Sequence, residues 1–370
     1  MNTTGRGDKL SYNQVLLLIT VYRLMIGLTY LPVVNITPAN QDVWFIMVLS
    51  SIYTIIFCSP LLYLTDKFHY LGLIGYSEKI MGKYIGKIVG IFYNIFLFLS
   101  LLLFVGVLVE VLNSTLFTET PTIVTISIAL VTSTYIASKG FRNIARVGEI
   151  VNPFIITMTF IFIILGYRNY DFHELLPVFK DSTFREINLG AMNVGIRFMD
   201  ITILAILAPR LENRKYIKII FVKSVLYFII IGTLIVISIQ MALGTEFVKH
   251  INFPFITFTR LLSPGFSIQG LDSLYMVAWI MGNILKISGY FYLTTEVLGE
   301  LTKREHQIFK IPLAIIVLII VLLVKDKRPI LAAKDPIINL ILVISIMAIS
   351  IIPFIMLIVY FFRRKKLSEE

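Results

Sequence analysis

Arg197 and Asp200 lie three residues apart in NLGAMNVGIRFMDITILAILAP, Asn188 to Pro209, a stretch whose second half is apolar enough to lie in lipid. A charge inside a membrane span is costly and normally faces a bundle interior or a watery cavity. Gly190 and Gly195 precede the pair, and glycine is where a membrane helix can open and leave backbone groups free to meet a ligand. The chemistry on offer is therefore reversible binding of a small polar solute rather than bond breaking. The plainer alternative is an unbroken helix whose (i, i+3) pair neutralises itself and only fixes packing. A second stretch, Val15 to Val34, has the same kind of interruption: Arg23, then Gly27-Leu28-Thr29-Tyr30, then Pro32.

Composition sets the elements that must hold these residues. Hydrophobic residues make up 57% of the 370 and charged residues 15%, with a mean hydropathy of +0.87. Soluble domains are less apolar and carry about a quarter charged residues, so the chain reads as a polytopic membrane protein. The net charge of +11 falls mostly in short connecting segments, where it orients a membrane protein rather than gripping nucleic acid. The single cysteine, Cys58, excludes an intrachain disulfide or a cysteine metal site, and His69, His173, His250 and His306 show no ligand spacing. There is no phosphate loop and no locally spaced nucleophile–base pair, so no enzyme activity and no cofactor is expected.

A spanning helix needs about 20 mostly apolar residues, which predicts ten spans. They start near Tyr12, Val43, Ile88, Pro121, Val147 (after the basic connection SKGFRNIAR), Asn188, Ile219, Leu271, Ile311 and Pro336. A short interfacial helix is expected at TDKFHYLGLIGYSEKIMGKYIGK, where Gly82, Gly86 and Gly90 permit close helix approach, and another around FPFITFTRLL. With the N-terminus inside, inner segments hold 21 of the 33 lysines and arginines, which places both termini in the cytoplasm. KDKRPILAAK is the exception on the outer side. Ten spans divide into halves 12–166 and 186–362 of opposite orientation, each opening with an interrupted helix, the plan of an inverted-repeat transporter.

Several stretches then match a family. KGFRNIARVGEI, HELLPVF, FPFITFTRLL and, best, LDSLYMVAWIMGNILKISGYFYLTTEVLG occur in this order, and the chain resembles the B subunits of GerA-type spore germinant receptors. These are a branch of the amino acid–polyamine–organocation superfamily; Asp200 is the counterpart here of the acidic residue that members often carry after glycine in the sixth span. The resemblance implies an all-α LeuT-like 5+5 inverted repeat with interrupted helices 1 and 6. It also implies A and C subunit partners in the spore inner membrane, and a small germinant such as an amino acid or nucleoside whose binding triggers germination.

In such a fold the solute lies near mid-membrane, held by half-helix N-termini. Ile26, Gly27, Leu28 and Thr29 would supply this on helix 1, and Val194, Gly195 and Ile196 on helix 6; a packing notch is the alternative for Gly27. Tyr93 is a possible lining residue. Lys286, deep in the eighth span between Asn283 and Ser288, is either a counter-charge to Asp200 or Glu110 or stands where a coupling cation sits in sodium-driven relatives. Asn283 and Ser288 could face the ligand, and Arg23, Arg197, Asp200 and Lys286 are assigned to charge pairing or gating. An amino-acid or polyamine carrier and an ion or water pathway remain the alternative functions.

Overall fold

The computed structural model describes residues 9–31, 40–180, 182–262, 271–325 and 336–369. Every regular element among them is helical apart from one isolated bridge, because a backbone in lipid must satisfy its polar groups within its own helix. In chain order the elements are α1 (Tyr12–Tyr30), α2 (Val43–Lys67), α3 (Gly72–Met81), α4 (Lys83–Thr115), α5 (Thr122–Ser138) and α6 (Phe141–Leu165). There follow α7 (Phe184–Ile196), α8 (Ile201–Leu207), α9 (Tyr216–Leu243), α10 (Thr245–Val248), α11 (Pro254–Leu262), α12 (Leu271–Thr302) and α13 (Lys310–Lys325). The last segment is α14 (Pro336–Ile346), a π-helical turn (Met347–Ile351) and α15 (Ile352–Glu369). Both expected short helices are present, as α3 and α11.

Eight stretches among the described residues are long and apolar enough to cross a membrane. The shorter α5 is also apolar, and α12 extends over 32 residues. The outward faces carry exposed isoleucines and leucines at helical spacing, such as Ile311, Ile315, Ile319 and Leu323 on α13. An apolar surface of this extent is stable only against lipid or a partner.

Helix α1 is mostly buried in the bundle. It packs against α6, α9 and α12, and small residues on those neighbours make the approach possible. A Cβ at Gly289 would lie 1.8 Å from Tyr22 Oη, one at Gly282 2.4 Å from Met25 Sδ, and one at Gly148 3.1 Å from Leu18 Cδ1. Gly86 works the same way, since a Cβ there would lie 2.3 Å from Glu78 Cα, so α3 folds directly onto α4; Gly82 does not, since a Cβ there would meet nothing within 4 Å.

Capping boxes start both α1 and α7. Ser11 Oγ accepts from Gln14 N while Gln14 Oε1 accepts from Ser11 N; Thr183 and Glu186 repeat the arrangement. Each pairing satisfies two otherwise orphaned backbone donors. A parallel bridge, Leu10 N to Arg210 O at 2.8 Å and Glu212 N to Leu10 O at 3.2 Å, ties the entry of α1 to the exit of α8. Arg210 adds an ion pair to Glu296 on α12, closing this end of the bundle.

Candidate functional site

The sixth apolar span is broken. Helix α7 stops at Ile196, residues 197–200 form turns, and α8 begins at Ile201. Across the break the backbone bonds span three residues: Arg197 N to Val194 O, Phe198 N to Gly195 O and Thr202 N to Met199 O. The opening expected at Val194–Ile196 therefore lies just after them. Gly195 has a different use, since a Cβ there would come within 3.2 Å of Ser50 O and Thr54 N on α2; it is the notch that seats α7 on α2. Arg197 and Asp200 do not neutralise one another. Arg197 Nε donates to Asn193 Oδ1 at 3.2 Å, and Asp200 turns inward to α12.

Helix α1 corrects the expected interruption at Ile26–Thr29. It continues to Tyr30, and Leu31 N still donates to Gly27 O at 3.0 Å, so these four residues offer no free backbone donors to a ligand. The physical reason is packing. Gly27 faces Phe228 of α9, with a Cβ position 3.2 Å from its ring. Thr29 Oγ1 donates back to Met25 O at 2.6 Å and accepts from Trp279 Nε1 at 3.0 Å. The helix ends at Leu31, whose ψ of 140° is the extended conformation imposed by a following proline, here Pro32.

Buried charges meet where the break faces α1 and α12. Lys286 Nζ lies 3.3 Å from Asp200 Oδ1 and donates to Tyr22 O at 2.6 Å; its ammonium also sits 4.1 Å from the centre of the Phe104 ring. Tyr290 Oη donates to Asp200 Oδ1 at 2.8 Å, and Tyr22 Oη donates to Leu285 O at 3.1 Å. This gives Lys286 the Asp200 carboxylate as its partner. Arg23, 2% exposed, makes no ion pair among the described residues. Its Nη1 donates to Ser224 Oγ at 2.8 Å, and the guanidinium lies 4.3 Å from the centre of the Phe198 ring.

A small cavity opens beside this cluster, between the ends of α1 and α7. Arg23, Ile26, Leu31, Val194, Arg197, Phe198 and Phe228 line it. Its volume, about 20 Å³, is room for a water-sized group and far short of the 300–1,000 Å³ typical of a small-molecule site. The conformation is thus closed around the candidate site.

Among the candidates, Arg23, Ile26, Val194 and Arg197 come together at the cavity; Asp200 and Lys286 form the adjoining ion pair. Gly27, Leu28, Thr29, Gly195 and Ile196 do not line it. Nor does Asn283, which donates to Trp279 O, or Ser288, whose hydroxyl donates to Ile284 O. Tyr93 is structural: its Oη donates at 2.7 Å to Ala348 O, a carbonyl in the π-helical turn. The residues not expected at the site are Phe198, Phe228 and Tyr22. Of these, Phe198 had a signal, lying between the two charges of the broken span.

The model of the spore permease family, described as spore germination protein, matches residues 9–330. The chain belongs to this family of spore germination proteins. Among curated relatives, spore germination protein YndE of Bacillus subtilis (strain 168) is 22% identical over 308 residues, 80% of this chain and 82% of its own length. Spore germination protein KB of the same strain is 22% identical over 53% of this chain, and protein XB of Bacillus anthracis is 25% identical over 56%. The chain spans 54% of KB and 58% of XB. Among solved structures, MhsT in complex with L-phenylalanine superimposes with a TM-score of 0.68 at 12% identity, over 96% of this chain and 90% of MhsT. The Eremococcus coleocola manganese transporter gives 0.63 at 11% identity, over 92% and 78%. At these identities the likeness fixes the fold of this spore germination protein, the LeuT fold, and nothing more.

Proposed function

We propose that this spore germination protein is the nutrient-recognising subunit of a germinant receptor, and that it acts without enzymatic chemistry. A small solute such as an amino acid or nucleoside enters between the ends of α1 and α7, and its binding triggers germination. The observation that carries this reading is the broken α7–α8 span, which sets buried charges and a small cavity against α1. In the proposed arrangement ten helices cross the spore inner membrane as two inverted halves, 12–166 and 186–362, with both termini in the spore core. The A and C subunits receive the signal.

The closed cavity gives the mechanism its form. A solute fits only when α1 and α7 separate, so it binds the opened state and shifts the equilibrium by its differential affinity for the two states. Replacing Ile26 by tryptophan should fill the cavity. Spores carrying Ile26→Trp are expected to lose their response to nutrients that germinate the parent, with the protein still present at parental level in the membrane. A normal response from such spores would remove the cavity from the mechanism. Accumulation of labelled solute in vesicles would make the chain a carrier, and a conductance without accumulation would make it an ion pathway.

A further inference from the structure

We infer that Arg23 is the anion-recognising group of this cavity, and that the solute it accepts carries a carboxylate. The inference rests on the proposed solute site and names the class of ligand that site selects. Arg23 presents five N–H donors in a rigid fork, and the protein uses few of them. Nη1 is bonded to Ser224, whereas Nε and Nη2 are buried with no hydrogen-bond partner. Asp200 does not serve them: its Oδ1 accepts from Tyr290 and lies against Lys286, and Lys286 also reaches Oδ2 at 3.5 Å.

Lys286 and Arg23, both buried in the core, are therefore treated differently. Lys286 has a dedicated carboxylate, a carbonyl and an aromatic face. Arg23 has one hydroxyl and the Phe198 ring, and it borders the cavity together with Arg197. Among the described residues, no carboxylate lines that space. Burying a guanidinium with donors unmet is costly, and a bidentate carboxylate is the partner whose geometry fits the vacant fork. Phe198 and Val194 would take the remaining apolar part of the solute. A carboxylate bound here would give the Arg23 fork a direct partner, where it now meets Asp200 only across space, so occupancy and helix position are coupled.

The test uses the full chain purified in detergent, with thermal midpoints measured against each amino acid, its amide, L-lactate, sodium chloride, and a panel of nucleosides and sugars. The expected result is stabilisation by at least one amino acid and none by its amide. Arg23→Gln should weaken that ligand roughly 10- to 100-fold, the range for losing a charged hydrogen-bonding partner. Its ligand-free midpoint should equal or exceed that of the parent. Lactate separates carboxylate recognition alone from recognition of the whole amino acid, and stabilisation by either supports the assignment.

Equal stabilisation by amide and acid, by nucleosides or sugars, or by chloride alone would overturn the carboxylate assignment while leaving a ligand-binding chain. So would Arg23→Gln with unchanged affinity. A lowered ligand-free midpoint in both Arg23→Gln and Arg23→Lys would assign Arg23 to structure instead. No stabilisation by any compound would overturn the solute site itself, and this inference with it.

Discussion

Lys286 and Asp200 show how far single residues could be read. A charge deep in an apolar span must find a partner; the sequence offered Asp200 and Glu110, and the fold pairs Lys286 with Asp200. The resulting pair is fully buried, where removing one partner strands the other. Lys286→Met and Asp200→Asn should each destabilise the protein by about 3–5 kcal/mol, and the double variant should recover much of the loss. A double-mutant cycle on thermal midpoints checks this; additive losses would show that the two groups are independent. Arg23 read either as paired with a core acid or as lining a route, because whether it makes a salt bridge depends on where Asp200 turns. Ser288 could not be oriented from sequence for a simpler reason: a hydroxyl on a helix can donate to its own backbone, as it does here to Ile284.

At the scale of elements, hydropathy carried most of the information. The short helices α3 and α11, the interruption of the sixth span and the close approach at Gly86 all follow from apolar spacing and small residues. Helix α1 did not follow, since Gly27 before a proline reads equally as an opening or as a notch, and Phe228 of α9 decides it. The capping boxes Ser11–Gln14 and Thr183–Glu186 were readable from spacing and would have sharpened both helix starts. Gly86→Ala places a methyl against the Glu78 backbone, which cannot move aside as a flexible side chain can. A loss of about 1–3 kcal/mol is expected, together with faster hydrogen exchange in α3. Gly289→Ala should displace Tyr22 and lower the midpoint similarly, and Tyr22→Phe should relieve part of that loss. If Gly289→Ala behaved as wild type, α1 would not be held as tightly as its contacts with α12 indicate.

The whole molecule is a LeuT-fold bundle closed on one side by the pairing of Leu10 with Arg210 and Glu212, and by the Arg210–Glu296 contact. Closure joins Leu10 to Arg210 and Glu212, far apart in the chain, so no local pattern announces it. Arg210→Ala should loosen that end and speed amide exchange at Leu10 and Glu212; unchanged exchange would mean that the bridge alone maintains it. The central claim is that this chain itself recognises a small solute and changes state on binding. It is tested most directly by hydrogen exchange on the purified protein, with and without a solute that germinates the parent spores. Binding at the proposed site predicts altered exchange at the end of α1 and across residues 194–203, and no such response in Ile26→Trp. Unchanged exchange in both regions at saturating solute, with the protein folded, would contradict the account and move recognition to another subunit.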